Sequence, residues 1–249
     1  MRSDEMKYIF IADSHLADPE DTESFFSMLD RISCSLLAME KDRRPSLVFL
    51  GDIFELWIAI PGYEAECHSR FLSWCRKYKE EFPVYFIEGN HEFFVVRRHW
   101  KDFSCASTNH IRDGKMIFLH GDQINLFDWR YRTLRIVTRN RISAFILRLL
   151  AGSCGTFLVE RIRKTLKKTN LKNKKYFPAI FMENTAELLL ENESGCLVAG
   201  HFHQKHILSA KEGSQKIFTL PAWDKNQGFI GILSSDGIFH TGLWQDLLK

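Results

Sequence analysis

The sequence predicts a layered α/β domain carrying one helical insertion. Three observations carry this: short apolar, β-branched or aromatic runs recur along the chain, helix-length stretches separate the early ones, and the strand pattern stops once, over 123–194. The runs are 8–12, 47–50, 84–87, 116–119, 197–199, 217–220 and 229–233, and they read as strands. Between the first two, 24–43 places Phe25, Met28, Leu29, Ile32, Leu36 and Met39 at helical spacing, and 65–80 is a second stretch of helix length. The interruption reads as a cap. It divides a core that is discontinuous in sequence into 1–122 and 195–249, around an insertion at 123–194.

Composition narrows the class. The chain has 249 residues, 45% hydrophobic and 26% charged, which suffices for one large α/β domain with an insertion and excludes a disordered or fibrous chain. The opening MRSDEMKYIF lacks the basic start and apolar centre of a signal peptide, so the protein is expected to stay in the cytoplasm. Six cysteines, at 34, 67, 75, 105, 154 and 196, form no C-x-x-C pair and suggest neither a zinc site nor a disulfide framework. Charge is unevenly spread. Of 34 Lys/Arg and 31 Asp/Glu, fourteen bases and one acid, Glu160, fall within 130–175, leaving 20 bases and 30 acids elsewhere. A basic insertion therefore sits on an acidic core.

Five of the runs give way to polar motifs. Asp13-Ser14-His15 comes after 8–12, Gly51-Asp52 after 47–50, and Gly89-Asn90-His91-Glu92 after 84–87; His120-Gly121-Asp122 comes after 116–119 and Gly200-His201-Phe202-His203 after 197–199. Ligands of open α/β sheets gather at the carboxyl ends of the strands, so these residues are expected to converge. Imidazole with carboxylate suits Mn, Fe or Zn, and a carboxylate such as Asp52 can bridge two ions ~3.5–4 Å apart. One D-x-H or G-D is ordinarily a cap or turn, and one H-x-H ordinarily packing. Five at successive strand ends point to a site.

In this order D-x-H, G-D, G-N-H-E, H-G-D and G-H-x-H resemble the motifs of the calcineurin-like metallophosphoesterases, over nearly the whole chain apart from the cap. The resemblance implies a four-layer αββα sandwich with a two-metal site. Asp13, His15 and His203 would hold one ion, Asn90, His120 and His201 the other, and Asp52 would bridge them. All seven positions are filled, whereas a non-catalytic scaffold of this fold, as in the retromer subunit, should show eroded ligands. The implied chemistry is hydrolysis at phosphorus, with the two cations supplying an activated water and charge neutralisation. His91 joins Asp52 in the catalytic set, as the group that helps the departing oxygen or contacts a phosphate oxygen. Glu92 is expected to brace the loop rather than bind metal.

Further stretches, "GDIFELWIA" (51–59), "HGDQINLFDWRYRTLR" (120–135) and "TLPAWD" (219–224), are similar to the UDP-2,3-diacylglucosamine pyrophosphohydrolases of lipid A synthesis. That resemblance implies manganese and a nucleotide-linked acylated sugar as substrate, contacted by Asn90, His91, His203, Asp128, Tyr131 and Arg135, with Asn173, Lys174 and Lys175 as stand-ins for the family's cap contacts. The best-known members carry Arg where this chain has His91. The insertion suits such a substrate: 142–150 and Phe157, Leu158, Ile162 and Leu166 are apolar, while Arg161, Arg163, Lys164, Lys167 and Lys168 are cationic. A basic amphipathic helix beside an apolar one reads as an element lying on an anionic membrane surface, here the inner face of the cell membrane. The apolar run is no span, because Arg148 and Gly152-Ser153-Cys154-Gly155 interrupt it. The rival is a phosphodiesterase or phosphatase acting on nucleotides or on a nucleic acid tracked by the basic cap, but only Phe145 and Phe157 interleave the bases between 132 and 175, so no nucleic-acid partner is expected. No obligate protein partner is evident. His68, His99, His110 and His240 have no motif context and read as surface or packing residues, and His206 as a neighbour of the site.

Overall fold

Alternation along the buried strands sorts the core into layers. β1 (Met6–Ile11), β2 (Ser46–Phe49), the two-residue β3 (Trp57–Ile58) and β4 (Val84–Ile87) come first in the chain, with helices α1 (Pro19–Leu37) and α2 (Glu66–Tyr78) among them and the short α3 (Val95–His99) after them. Successive strand side chains point to opposite faces. Ile9, Ile11, Leu47, Phe49, Val84 and Phe86 accordingly pack on α1 and α2, while Tyr8, Phe10, Val48, Leu50 and Ile87 face a second sheet. The computed structural model describes residues 6–124, 129–150, 157, 159, 161–162, 177–191, 193–223 and 228–248.

The remaining strands are β5 (Glu92–Phe93), β6 (Cys105–Ser107), β7 (His110–Asp113), β8 (Met116–Leu119), β9 (Gly195–Ala199), β10 (His206–Ala210), β11 (Gln215–Thr219), β12 (Phe229–Ser234) and β13 (Phe239–Leu243). They complete a six-stranded sheet in the order β13-β12-β1-β2-β4-β6, a five-stranded sheet in the order β10-β11-β9-β8-β7, and a β3-β5 pair. Phe118, Val198 and Phe218 of the second sheet fill the space between the sheets, and Ile117, Leu119, Leu197, Ala199 and Ile217 face outward. That outward face is covered by Met182, Ala186 and Leu190, on and just beyond helix α6 (Ala179–Leu189). The result is the helix–sheet–sheet–helix layering the resemblance implied. Register levels the strand ends: Ile11 pairs with Phe49 and Phe49 with Phe86 in the first sheet, and Leu119 with Ala199 in the second.

Two departures from expectation exceed a residue or two at an element end. α1 starts at Pro19, five residues before the predicted stretch, because a proline in the first turn followed by Glu20 and Asp21 suits a helix start. It ends at Leu37, short of the predicted Arg43, since Pro45 keeps Arg44 extended and 41–43 form only a short 3₁₀ turn. The second concerns the insertion. α6 lies within 123–194 but packs on the sheet as the fourth core layer, so the cap character there belongs to α4 (Trp129–Thr138), α5 (Arg141–Leu149) and the few described residues after them. Ala144, Leu147, Val159 and Ile162 pack against Leu56, Ile58, Ile60 and Phe94, and the Tyr63 hydroxyl donates to the Leu147 carbonyl at 2.9 Å. Among the described residues no helix is long and apolar enough to cross a membrane.

Candidate active site

The level strand ends bring the polar motifs together. Asp13 and His15 follow β1, Asp52 follows β2 and Asn90 follows β4; His120 follows β8, and His201 and His203 follow β9. Their ligand-type atoms form two overlapping groups. In one, His15 Nε2 lies 3.3 Å from His203 Nε2, which lies 3.5 Å from Asp13 Oδ1. In the other, His120 Nε2 lies 3.1 Å from Asn90 Oδ1, 3.2 Å from His201 Nδ1 and 3.4 Å from Asp52 Oδ2. Asp52 Oδ2 is also 4.0 Å from His15 Nε2, which places this carboxylate between the groups. Asp13, Asp52 and His120 are buried.

The backbone is strained where the ligands sit. Asp13, His15, Asp52, His201 and His203 all have left-handed φ, between 44° and 69°, and make up five of the nine such non-glycine residues described. Each costs of order 1–3 kcal/mol, a cost concentrated at a site when the side chain's direction matters. Glycine is required at Gly51 and Gly89, which meet back to back. A Cβ on Gly51 would fall 2.6 Å from the Gly89 nitrogen, and one on Gly89 would collide with Asp52 Oδ1.

Hydrogen bonds fix what each group presents. His120 Nδ1–H donates to the Leu50 carbonyl at 2.7 Å, which turns Nε2 toward Asp52. Asp13 Oδ2 accepts from the His201 amide at 2.7 Å, and Asp52 Oδ1 from the His91 amide at 2.8 Å. Among the described residues, Asp13 Oδ1, His15 Nδ1 and His203 Nδ1 are buried with no hydrogen-bond partner. Burial works to raise the Asp13 and Asp52 carboxyls, yet His203 beside the first and His120 beside the second hold both below the usual carboxylate range. Against its own burial His120 is driven up to about 10 by Asp52, while burial holds His15 and His201 down at about 4. Carboxylates and imidazole nitrogens so close together need positive charge among them, which a proton on His120 or a cation in its place supplies. That donor set, with an orphaned carboxylate oxygen, fits divalent metal.

His91 lies inside this cluster, fully buried. Its Nδ1–H donates to the Glu55 carbonyl at 2.6 Å and its Nε2 is 3.7 Å from Asp52 Oδ2. Glu92 does brace the loop. Its Oε2 accepts from the Asp52 and Gly89 amides and its Oε1 from the Ile53 amide, each at 2.8 Å. Glu92→Ala leaves three buried amides without an acceptor, at ~1–3 kcal/mol apiece. Denaturant unfolding should show a loss of at least about 3 kcal/mol, and a loss below about 1 kcal/mol would deny Glu92 this role.

Tyr131 and Arg135 stand on the second-sheet side. The Tyr131 hydroxyl and Arg135 Nη1 both bond to Asp122 Oδ2, and Arg135 Nη2 donates to the Thr108 carbonyl at 2.7 Å. Asp128, Asn173, Lys174 and Lys175 lie outside the described residues. His68 is a packing residue, stacked on Trp57 with ring centroids 5.0 Å apart, and His99 bonds to Glu64 and Asp102. His110 and His240 are exposed, and His206 stacks on Phe177 with ring centroids 3.9 Å apart. Sequence reasoning passed over Glu88 and Arg139, an ion pair at 3.1 Å beside Asn90.

Residues 6–205 match the model of the calcineurin-like phosphoesterases. A UDP-2,3-diacylglucosamine hydrolase of Blochmanniella pennsylvanica is 28% identical over 91% of this chain and 92% of its own, and one of Shewanella baltica is 26% identical over 94% and 95%. The crystal structure of a cold-active protein-tyrosine phosphatase of a psychrophilic Shewanella covers 96% of this chain and 78% of its own, at 14% identity and a TM-score of 0.47. With its motifs gathered at one end of a two-sheet sandwich and four-fifths of its length matched, the chain belongs to the calcineurin-like phosphoesterases, hydrolases that use divalent metals.

Proposed function

We propose that this protein hydrolyses the diphosphate bond of UDP-2,3-diacylglucosamine or a close relative, giving UMP and a diacylglucosamine 1-phosphate, with two divalent ions, manganese by preference. The observation that carries the chemistry is the double donor cluster meeting at Asp52. The substrate class is supported by relatives that match across more than nine-tenths of both chains, cap included. Asp13, His15 and His203 would hold one ion and Asn90, His120 and His201 the other, with Asp52 shared. A bound ion pair supplies Lewis-acid charge neutralisation at the phosphoryl oxygens and a more acidic water.

The chain's own groups do the rest. The Glu55 carbonyl holds Nδ1–H and so fixes the His91 ring with Nε2 toward Asp52, the nitrogen left to carry a proton to the substrate. From there His91 donates to a phosphate or departing oxygen. Glu92 keeps the two ligand loops in register. The test is direct: incubate the protein with Mn and UDP-2,3-diacylglucosamine and identify the products. UMP release supports bond and substrate together; release of UDP, or hydrolysis of nucleic acid alone, refutes the assignment.

We place the protein in the cytoplasm, peripherally on the inner face of the cell membrane. Support comes from Ile142, Phe145, Ile146 and Leu149 of α5 and Phe157 beyond it, all exposed, beside a strongly basic stretch of sequence. Each base near an anionic surface contributes roughly 1 kcal/mol. Replacing Arg163, Lys164, Lys167 and Lys168, which lie outside the described residues, with Gln should release the protein from anionic vesicles while hydrolysis of a short soluble phosphodiester survives. Unchanged flotation with the vesicles would refute the membrane assignment.

A further inference from the structure

The cap reaches back to the candidate ligands through two arginines one helical turn apart. Arg139, just past α4, places Nη1 3.1 Å from Glu88 Oε1 and donates from Nη2 to the Gly89 carbonyl at 2.7 Å. Its guanidinium lies 5.1 Å from the Phe93 ring centroid. The Arg139 side chain is 12% exposed and that of Glu88 2%. Glu88 is held from two further sides: its Oε2 accepts from the Val96 amide, and its own amide donates to the Ser107 carbonyl, both at 2.9 Å. The guanidinium therefore grips side chain and backbone immediately ahead of Asn90. Arg135 grips Asp122, two residues after His120, and the Thr108 carbonyl. Asn90 and His120 belong to the same half of the site. Among the described residues, neither arginine hydrogen-bonds to Asp13, His15 or His203.

We infer that Arg139 is a positioning residue through which the cap sets the affinity of one ion of the pair, that of the Asn90–His120–His201 half. The inference rests on the two-ion reading above. An amide oxygen is a neutral, weak ligand, so the aim of Asn90 depends on the turn that carries it. Arginine suits the task because its planar fork reaches a carboxylate and a carbonyl at once, where lysine offers a point charge. Without it, buried Glu88 loses its cation and the Gly89 carbonyl its donor. Losing an outer partner of a metal ligand typically weakens metal binding by about 10–100-fold.

The test is titration of the full chain with Mn²⁺ alone, monitored by calorimetry and by the electron paramagnetic signal of free Mn²⁺. Wild type should take up two ions. Arg139→Gln should weaken one of them by about 10–100-fold and leave the other unchanged. Placing the loss requires two backgrounds. In His203→Ala, which disables the other half, Arg139→Gln should weaken the remaining ion; in His120→Ala it should change nothing. Should Arg139→Gln not fold, Arg139→Lys, which keeps a cation beside Glu88 but gives up the fork, is titrated the same way. A merely structural arginine would lower both affinities together, and that result, or no loss at either half, overturns the inference alone. A wild type that takes up fewer than two ions overturns the two-ion reading and the inference with it.

Discussion

Asp52→Asn should reduce hydrolysis to background while the protein stays folded. The substitution keeps size and shape, and the new amide oxygen can still accept the His91 N–H that Asp52 Oδ1 now takes at 2.8 Å. What it removes is the negative charge beside His15, His91 and His120, whose Nε2 atoms lie 4.0, 3.7 and 3.4 Å from Oδ2. A neutral oxygen there could not serve both halves of the donor cluster. Bound divalent metal, measured by elemental analysis after desalting, should fall below the wild-type content as activity disappears. Metal content and turnover both near wild type would sink the two-ion reading.

His91→Ala should lower turnover by ~10²–10⁴ with metal content retained. The ring is fully buried and tethered at Nδ1, so Nε2 can point in one direction only, toward Asp52. The variant also leaves the Glu55 carbonyl without its donor, a stability loss of ~1–3 kcal/mol that thermal unfolding separates from the kinetic effect. Two outcomes would count against this role. Loss of an ion would make His91 a ligand, as its closeness to His15 and Asp52 allows. Turnover within a few-fold of wild type would make it a bystander.

The candidate ligands are legible in the sequence because each follows directly on an apolar run, and such runs are the strands buried on both faces. The strands that escaped are telling. β13, β6, β10 and β7 are the four edges of the two sheets, paired on one side and partly exposed, so Cys105-Ala106-Ser107 or His110-Ile111-Arg112-Asp113 carries no continuous apolar signal. α6 escaped as a core layer because it follows the basic stretch in sequence, although Met182, Ala186 and Leu190 recur every four residues. The left-handed backbone at Asp13, Asp52 and His203 is invisible, since no glycine marks those positions. Nor does spacing tell which of fourteen bases meets Glu88, 51 residues before Arg139.

The candidate ligands are drawn from both sheets, Asp13, His15, Asp52 and Asn90 from the first and His120, His201 and His203 from the second. An ion shared by His15 and His203 would rivet together parts of the chain 188 residues apart. Such a rivet exists only while the sheets are docked, so by mass action free metal at 100 times its dissociation constant would add about 2.7 kcal/mol per ion to the folded state. Metal supply would then govern the lifetime of the protein as well as its rate. A metal-starved cell would lose the enzyme to unfolding and proteolysis, beyond whatever activity it lost at once.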